Sequence, residues 1–471
     1  MPNALAFLAL LAWPLVALFA FSRFRPQVAL LVTYMGAMMF LPEKTVVDLP
    51  LEDFGKEQWA AAGALLGVLL VGDARRALWR AKPLRSGDIW IVLLMLGAFG
   101  TSRVNQEALL YGPTTLPSLT TWEAMSVAYA DFWQYLVPYV LGRALFTTRE
   151  DLKLLLRALQ IASIIYVPFI VIELFLSPQL HNWVYGFAQH SFIQTIRAGG
   201  YRPMVFMGHG LALALLLSAS VLAGVTLSLG KVATIYRIPG RYMSVLLLAV
   251  LVACKSLGAA IFATVFGMLL VFSTPKWQLR ALVLAVAFIF LYPLSRASEL
   301  FPERELIEFI TKTFGADRAQ SLDFRFVNEH DLAEHAAKKP MFGWGRYQRN
   351  MVFEIWSGQP VSTSDGHWII LYGVRGAWGF ITFFAAMVAP IFVLRKNIKK
   401  LHNTQDRYLL VGLASILMIY TLDLIPNGLF TNFPLVLAGA LLGLIRGIAA
   451  TPQGDIKITV GAPGTIPTTK S

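Results

Sequence analysis

The chain has 471 residues, 56% hydrophobic and only 14% charged, with a formal net charge of +13 and a mean hydropathy of +0.61. That excludes a soluble globule, in which the apolar share is lower and about a quarter of residues are charged. The lone cysteine, Cys254, excludes an internal disulfide and any cysteine-built metal cage.

Apolar runs follow one another along the chain at roughly 4–21, 27–41, 58–72, 88–102, 121–142, 156–176, 207–229, 242–254, 257–273, 281–294, 366–394, 408–425 and 433–448. Lipid offers the backbone no hydrogen-bond partner, so each is expected to be a helix, and no porin-like alternation is present. The expected fold is an all-α polytopic membrane protein of about 12–13 transmembrane helices. Helices 1–10 fall in residues 1–294, a large extracytoplasmic loop in 295–365 and the last helices in 366–448, followed by a disordered cytoplasmic tail over 449–471. The first run lacks the basic flank of a cleavable signal peptide and is expected to be a retained span. The tail is rich in Pro, Gly and Thr.

Charge orients the bundle. Segments 22–26, 73–87, 143–157, 230–241, 274–280, 395–407 and the tail from 446 carry 24 Lys and Arg, against 6 in the short segments 42–57, 103–120, 177–206 and the turn at 255. By the positive-inside rule the first set is cytoplasmic and the long loop lies outside. The basic excess is therefore a topology signal with attraction to anionic lipid, and no nucleic-acid partner is expected.

Within the long loop, Pro302 opens a helix with the apolar face Leu306, Ile307, Phe309 and Ile310, and a second helix is expected from Ser321 to Lys338, ended by Pro340. Such amphipathic helices would lie on the outer surface and roof a cavity between spans. Glu329, His330, Glu334 and His335 resemble metal ligands, but His330 and His335 are five apart, about 140° around a helix, and do not share a face. Asp48, Glu52 and Asp53 in the first outer loop are explained by solvation, so no metal site is expected. No nucleophile elbow or phosphate-binding glycine loop is present, which disfavours a hydrolase of that type and an ATP-driven pump.

What remains is a set of polar groups at the outer ends of spans. Arg197 and Arg202 precede the span near Met207, Lys255 sits in a tight turn, and His367 opens a span. Guanidinium forks suit a diphosphate, and a neutral imidazole can take a proton from a sugar hydroxyl. The competing structural role, for each alone, is to anchor a helix end at the headgroups. Arg375 lies eight residues beyond His367, about 12 Å deeper along a helix; Asp131 is its candidate partner, the alternative being an arginine that lines a wet cavity alone.

Three motifs carry a family resemblance. Lys339-Pro340-Met341-Phe342-Gly343-Trp344-Gly345 resembles the Pro-x-x-Gly-x-Gly element of the O-antigen ligase and Wzy-type polysaccharide polymerase superfamily. Asp365-Gly366-His367-Trp368-Ile369-Ile370-Leu371, followed by Gly373, Gly376 and Gly379, is similar to that family's His-Asn-x-x-Leu segment. Arg202-Pro203-Met204-Val205-Phe206-Met207-Gly208-His209 resembles its Arg-x-x-Gly-Phe-x-Asn-Pro. Trp368 replaces Asn, Gly208-His209 replaces Asn-Pro, and Lys255 stands where the family usually has arginine. The resemblance implies a GT-C-like, inverting, metal-independent glycosyltransferase of the bacterial inner membrane, without cofactor and with its large loop periplasmic. Its donor would be an undecaprenyl-diphosphate-linked glycan and its acceptor a lipid or glycan hydroxyl. Arg202, with Arg197 and Lys255, would hold the diphosphate and His367 would act as general base or position the acceptor. Asp365, Arg375 and Asp131 would lend support. A lipid-linked oligosaccharide flippase without catalysis, or an envelope-assembly scaffold, are the alternatives. Ligase, polymerase and protein glycosylation are not separable at this level.

Overall fold

The computed structural model describes residues 1–450 apart from 83–86, 198, 234–237, 299 and 402, so the predicted tail lies, beyond Ala450, outside the described residues. The first half comprises α1 (Ala4–Arg23), α2 (Pro26–Phe40), α3 (Lys56–Leu70), α4 (Gly72–Arg80), α5 (Asp88–Arg103), α6 (Thr121–Asp131), α7 (Val137–Leu145), α8 (Arg149–Leu176) and α9 (Leu180–Tyr185). The second half comprises α10 (Gly210–Leu229), α11 (Gly240–Ala253), α12 (Leu257–Phe272), α13 (Pro275–Ala297), α14 (Glu303–Phe314), α15 (Ala316–Ala337), α16 (His367–Asn397), α17 (Thr404–Asp423) and α18 (Phe433–Ala450). Two short antiparallel hairpins, Leu109–Tyr111 with Thr114–Leu116 and Ile196–Arg197 with Gly200–Tyr201, are the strands among the described residues.

All thirteen predicted segments are helical, and among the described residues six helices (α1, α8, α10, α13, α16 and α18) are long and apolar enough to cross a membrane. The protein is an all-α polytopic membrane protein. α10 and α18 form its centre, whereas α1 leaves Leu8, Leu15 and Phe19 exposed, the side expected to meet lipid. The predicted run 121–142 is α6 and α7 joined by a π-helical stretch, Phe132–Leu136, that begins directly after Asp131.

The largest departure from the sequence expectation is α16, which is not one continuous span. Gly376 has φ +63° and ψ −165°, and the helix breaks there. His367 and Phe383 would stand about 24 Å apart on a straight helix, yet their ring centroids are 5.1 Å apart, so the two halves fold back against each other. The break severs the α-helical bonds from Ala377 N–H to Gly373 C=O and from Trp378 N–H to Val374 C=O. The segment 340–345 recaptures all four groups: Ala377 donates to Pro340 C=O (2.7 Å), Trp378 to Met341 C=O (3.0 Å), and Gly373 and Val374 C=O accept from Trp344 (2.8 Å) and Gly345 N–H (2.9 Å). Unpaired backbone in the bilayer would cost several kcal/mol per group. Thr101 Oγ1 and Asn105 Nδ2 donate to the carbonyls of Phe342 (2.6 Å) and Gly343 (2.9 Å) and fix the segment on α5. A Cβ at Gly376 would stand 2.4 Å from the Met341 carbonyl, and one at Gly343, at φ +68°, 2.5 Å from Gly376 N.

The long segment between α13 and α16 is itself largely helical. α14 begins at Glu303 after Pro302, as expected, while α15 begins at Ala316, five residues before the predicted Ser321, because Gly315 turns the chain at φ +91°. Leu306, Leu322 and Phe326 of these helices, with Phe262 and Phe266 of α12 and Phe288 of α13, line an open cavity of about 640 Å³.

Gly376→Ala and Gly343→Ala are expected to lower stability by about 2–4 kcal/mol each, from backbone strain plus the clash. Gly258→Ala, where a Cβ meets nothing within 4 Å, should leave it essentially unchanged. Thermal unfolding of the purified protein in detergent measures all three.

Candidate functional site

A buried carboxylate builds the first part of the site. Glu173 accepts from Met204 N–H (2.8 Å), Val205 N–H (2.7 Å) and Leu180 N–H (3.1 Å), and Gln189 Nε2 donates to Val205 C=O (3.0 Å). These bonds hold Val205 at φ +57°, a region costly for a β-branched residue. Tyr166 Oη accepts from Phe206 N–H at 3.1 Å. Arg202 is thereby fixed ahead of α10, buried, with its Nη2 donating to Lys255 C=O (3.3 Å), while Lys255 Nζ donates to Arg197 C=O (3.1 Å). The fold thus brings Arg197, Arg202 and Lys255 together. Lys255 turns from α11 to α12 at φ +54°, and a Cβ at Gly200 would meet its ammonium at 2.2 Å.

Two further residues join this cluster, and sequence reasoning had not singled them out. His209 caps α10: its Nδ1 accepts from Leu211 N–H (3.0 Å), which leaves the proton on Nε2. Its ring lies edge-on to His190 at 4.7 Å. Burial, then the charges of His190, Arg202, Arg197 and Arg325, push its pKa down to about 4, so it is a neutral N–H donor at physiological pH. It lines a cavity of about 270 Å³ with Glu43, Lys56, Gly208 and Phe430, where Lys56 and Glu43 form an ion pair. Arg325 of α15 pairs with Asp365 at 3.3 Å and borders the 640 Å³ cavity. Its signal in the sequence was its place on the helical face of Leu322, Phe326 and Glu329.

His367 sits apart from the basic cluster. Its ring stacks on Phe430 (5.3 Å, 18°) and meets Phe383 edge-on (5.1 Å), and its buried Nε2 has no hydrogen-bond partner among the described residues. Its backbone N–H donates to Leu424 C=O at 2.9 Å. Phe430 separates the imidazole from the 270 Å³ cavity, which Phe430 itself lines. Asp365, two residues before, is spent on Arg325.

Arg375 and Asp131 form a two-pronged ion pair, Nη1 to Oδ2 at 2.5 Å and Nη2 to Oδ1 at 2.7 Å. The expected depth order is corrected. Arg375 stands at the break in α16, whereas His367 packs beside Phe383, seven residues along the second half toward the basic Arg395 and Lys396 end. Arg375 is therefore nearer the loops than His367, and beside it Arg346 binds Glu52 (2.5 Å) and Ser126 Oγ (2.8 Å). The metal-like residues of α15 have other work: Glu329 accepts from Tyr292 Oη (2.8 Å) and Trp368 Nε1 (3.2 Å), and His335 stacks on Trp344 and donates to Arg349 C=O at 3.0 Å.

The arrangement offers guanidinium, ammonium and neutral imidazole N–H donors in one cluster, and Arg325 at the edge of an apolar cavity, features that suit an anion carried on a lipid chain. Compared with known proteins, the chain matches no family model and no curated sequence.

Arg375→Ala should destabilise the fold by roughly 3–5 kcal/mol, because Asp131 would be left buried without its partner, and the double change to Met and Leu should recover much of that. Equilibrium unfolding of single and double variants reads the difference. A second expectation concerns acid. Because folding lowers the His209 pKa from 6.5 to about 4, the unfolded chain binds the extra proton in that window. The stability that neutral His209 contributes is full above pH ~6.5 and falls as pH drops toward 4. The stability gap between wild type and His209→Gln should therefore shrink over that range and stay flat above it.

Proposed function

We propose that this chain is an inner-membrane glycosyltransferase of the O-antigen ligase or polysaccharide polymerase type. It would move a glycan from an undecaprenyl-diphosphate carrier to an acceptor hydroxyl on the periplasmic face. The observation that carries the reading is that two features share α12: the apolar cavity of about 640 Å³ beneath α14 and α15, lined by Phe262, Phe266 and Arg325, and the cluster of Arg197, Arg202 and Lys255 at the turn from which α12 starts. A polyprenyl chain fits the first and a diphosphate the second. The motif resemblance and the skew of basic residues support the same face.

In this reading the acceptor oxygen attacks the anomeric carbon as the bond to the diphosphate breaks, inverting the centre. Arg202, with Arg197 and Lys255 beside it, binds the diphosphate and stabilises the charge it gains on leaving. His209 Nε2–H donates to the same oxygens. The acceptor proton passes to His367, which requires Phe430 to turn away from the imidazole it covers. Arg375 and Asp131 position the first half of α16. The reaction uses no metal, nucleotide or other cofactor.

The test is transfer by the purified protein in lipid nanodiscs with an undecaprenyl-diphosphate-linked glycan as donor. Arg202→Ala should abolish transfer with the fold intact, and Arg202→Lys should restore only a minor part, since one ammonium cannot make two parallel bonds. His367→Ala should lower turnover by ~10²–10⁴-fold while donor binding persists, and EDTA should change nothing. A fully active Arg202→Lys protein would remove the two-pronged diphosphate role. Near-wild-type turnover by His367→Gln would remove proton abstraction. A flippase would move the glycan across the bilayer and leave it on its carrier.

A further inference from the structure

The end of the bundle opposite the candidate site holds a second polar cavity. α5 sets the separation: Asp88 at its start is paired with Arg143, whereas Thr101 near its end touches the 340–345 segment, about 20 Å away at ~1.5 Å per residue. Between α4, α7 and α18 lies a cavity of about 480 Å³ lined by Arg80, Lys82, Arg143 and Arg446, with Thr147, Gly443 and Gly447 among the rest. No acidic side chain lines it among the described residues. The nearest acid, Asp88, is held by Arg143 at 2.6 Å with both side chains buried.

The site is built from within. Arg143 is 4% exposed and donates to Ala81 C=O at 2.7 Å, and its buried Nε has no hydrogen-bond partner among the described residues. Gly443 and Gly447 bring α18 against the backbone that ends α7: a Cβ at 447 would stand 1.9 Å from Thr147 O. These glycines let α18 pack in direct contact with the end of α7, which fixes Arg446 beside Arg143 and Thr147 at one side of the cavity. The rim lies at a membrane boundary. Leu70, 70% exposed, ends α3 immediately before α4, whose exposed residues include Arg75, Arg76, Trp79 and Arg80. An apolar residue facing outward, followed by an aromatic ring among arginines, marks the level of lipid headgroups. A concave set of cations at that level is a phosphate site.

We propose that this cavity binds the phosphate of an anionic phospholipid in the adjoining leaflet, with Arg80, Lys82 and Arg446 at its rim and Arg143 in its wall. The shared chemistry is phosphate on several cations, and a soluble phosphate compound is the other possible source. The assignment is independent of the reaction proposed at the other end.

Native mass spectrometry of the full chain, released from detergent with cardiolipin or with phosphatidylcholine, tests it. Cardiolipin should be retained and phosphatidylcholine not. Each cation near an anionic group contributes about a fivefold effect, so Arg80→Gln with Arg446→Gln should weaken retention roughly 30-fold. Both residues are exposed, and Lys82→Gln gives a separate, single-charge reading of about fivefold should the double variant fail to fold. A parallel arm adds sodium pyrophosphate. If pyrophosphate binds with the same dependence on these residues and cardiolipin does not, the phosphate site stands and its ligand is soluble. Equal retention of the two lipids with no pyrophosphate binding, or cardiolipin retention unchanged in the variants, overturns the proposal.

Discussion

Four backbone groups govern the architecture on the side of the candidate site. At the break of α16 at Gly376, two N–H groups and two carbonyls pair with the segment from Pro340 to Gly345. A membrane protein tolerates such a break only where protein, and not lipid, satisfies it. The seal explains the glycines of the Pro-x-x-Gly-x-Gly element. Gly343 lies so close to the backbone of residues 374–376 that no side chain fits, and Gly345, at φ +83°, is pressed against Leu119. The element thus completes a broken helix, although Gly345 and Gly376 lie 31 positions apart. The loop that follows α15 is anchored as firmly. Arg349, 1% exposed, donates to the carbonyls of Glu107 and Pro117 and to Asn105 Oδ1.

The break also sorts the polar groups. It turns the first half of α16 back so that His367 enters an aromatic box with Phe383 and Phe430, and it leaves Arg375 at the apex to meet Asp131 and the Arg346 network. The basic cluster, meanwhile, rests on a different device, the buried Glu173 that gathers three backbone N–H groups. One device orients a histidine and the other orients arginines. α15 bears on both: its Arg325 pairs with Asp365, and the charge of Arg325 is one of those that lower the His209 pKa.

Much of this was legible in the sequence because the bilayer is a severe solvent. Thirteen apolar runs became helices since lipid leaves the backbone no other choice, and Arg375 found Asp131 since a lone charge there is expensive. What was hidden depends on the third dimension. Gly376 sits in an apolar run that continues on both sides, so hydropathy reads through the break and misorders His367 and Arg375. The aromatic box of His367 comes from Phe430, 63 positions away, with no local pattern to betray it. The grouping of Arg197, Arg202 and Lys255 was guessable from their places at span ends, whereas Arg325 matters only because of the face of α15 it occupies.

The Arg375–Asp131 pair has a consequence for how the protein is made. The two residues are 244 positions apart. At ~5–20 residues per second, the ribosome delivers Arg375 roughly 12–50 s after Asp131. Throughout that interval the carboxylate waits in a nascent chain that lacks its counter-ion, next to a π-helical stretch that already departs from regular geometry. Closure of this pair is a late event of biogenesis, and a chain stalled or truncated before residue 375 would leave a bundle with an orphan acid, a mark by which membrane quality control can tell unfinished copies from finished ones.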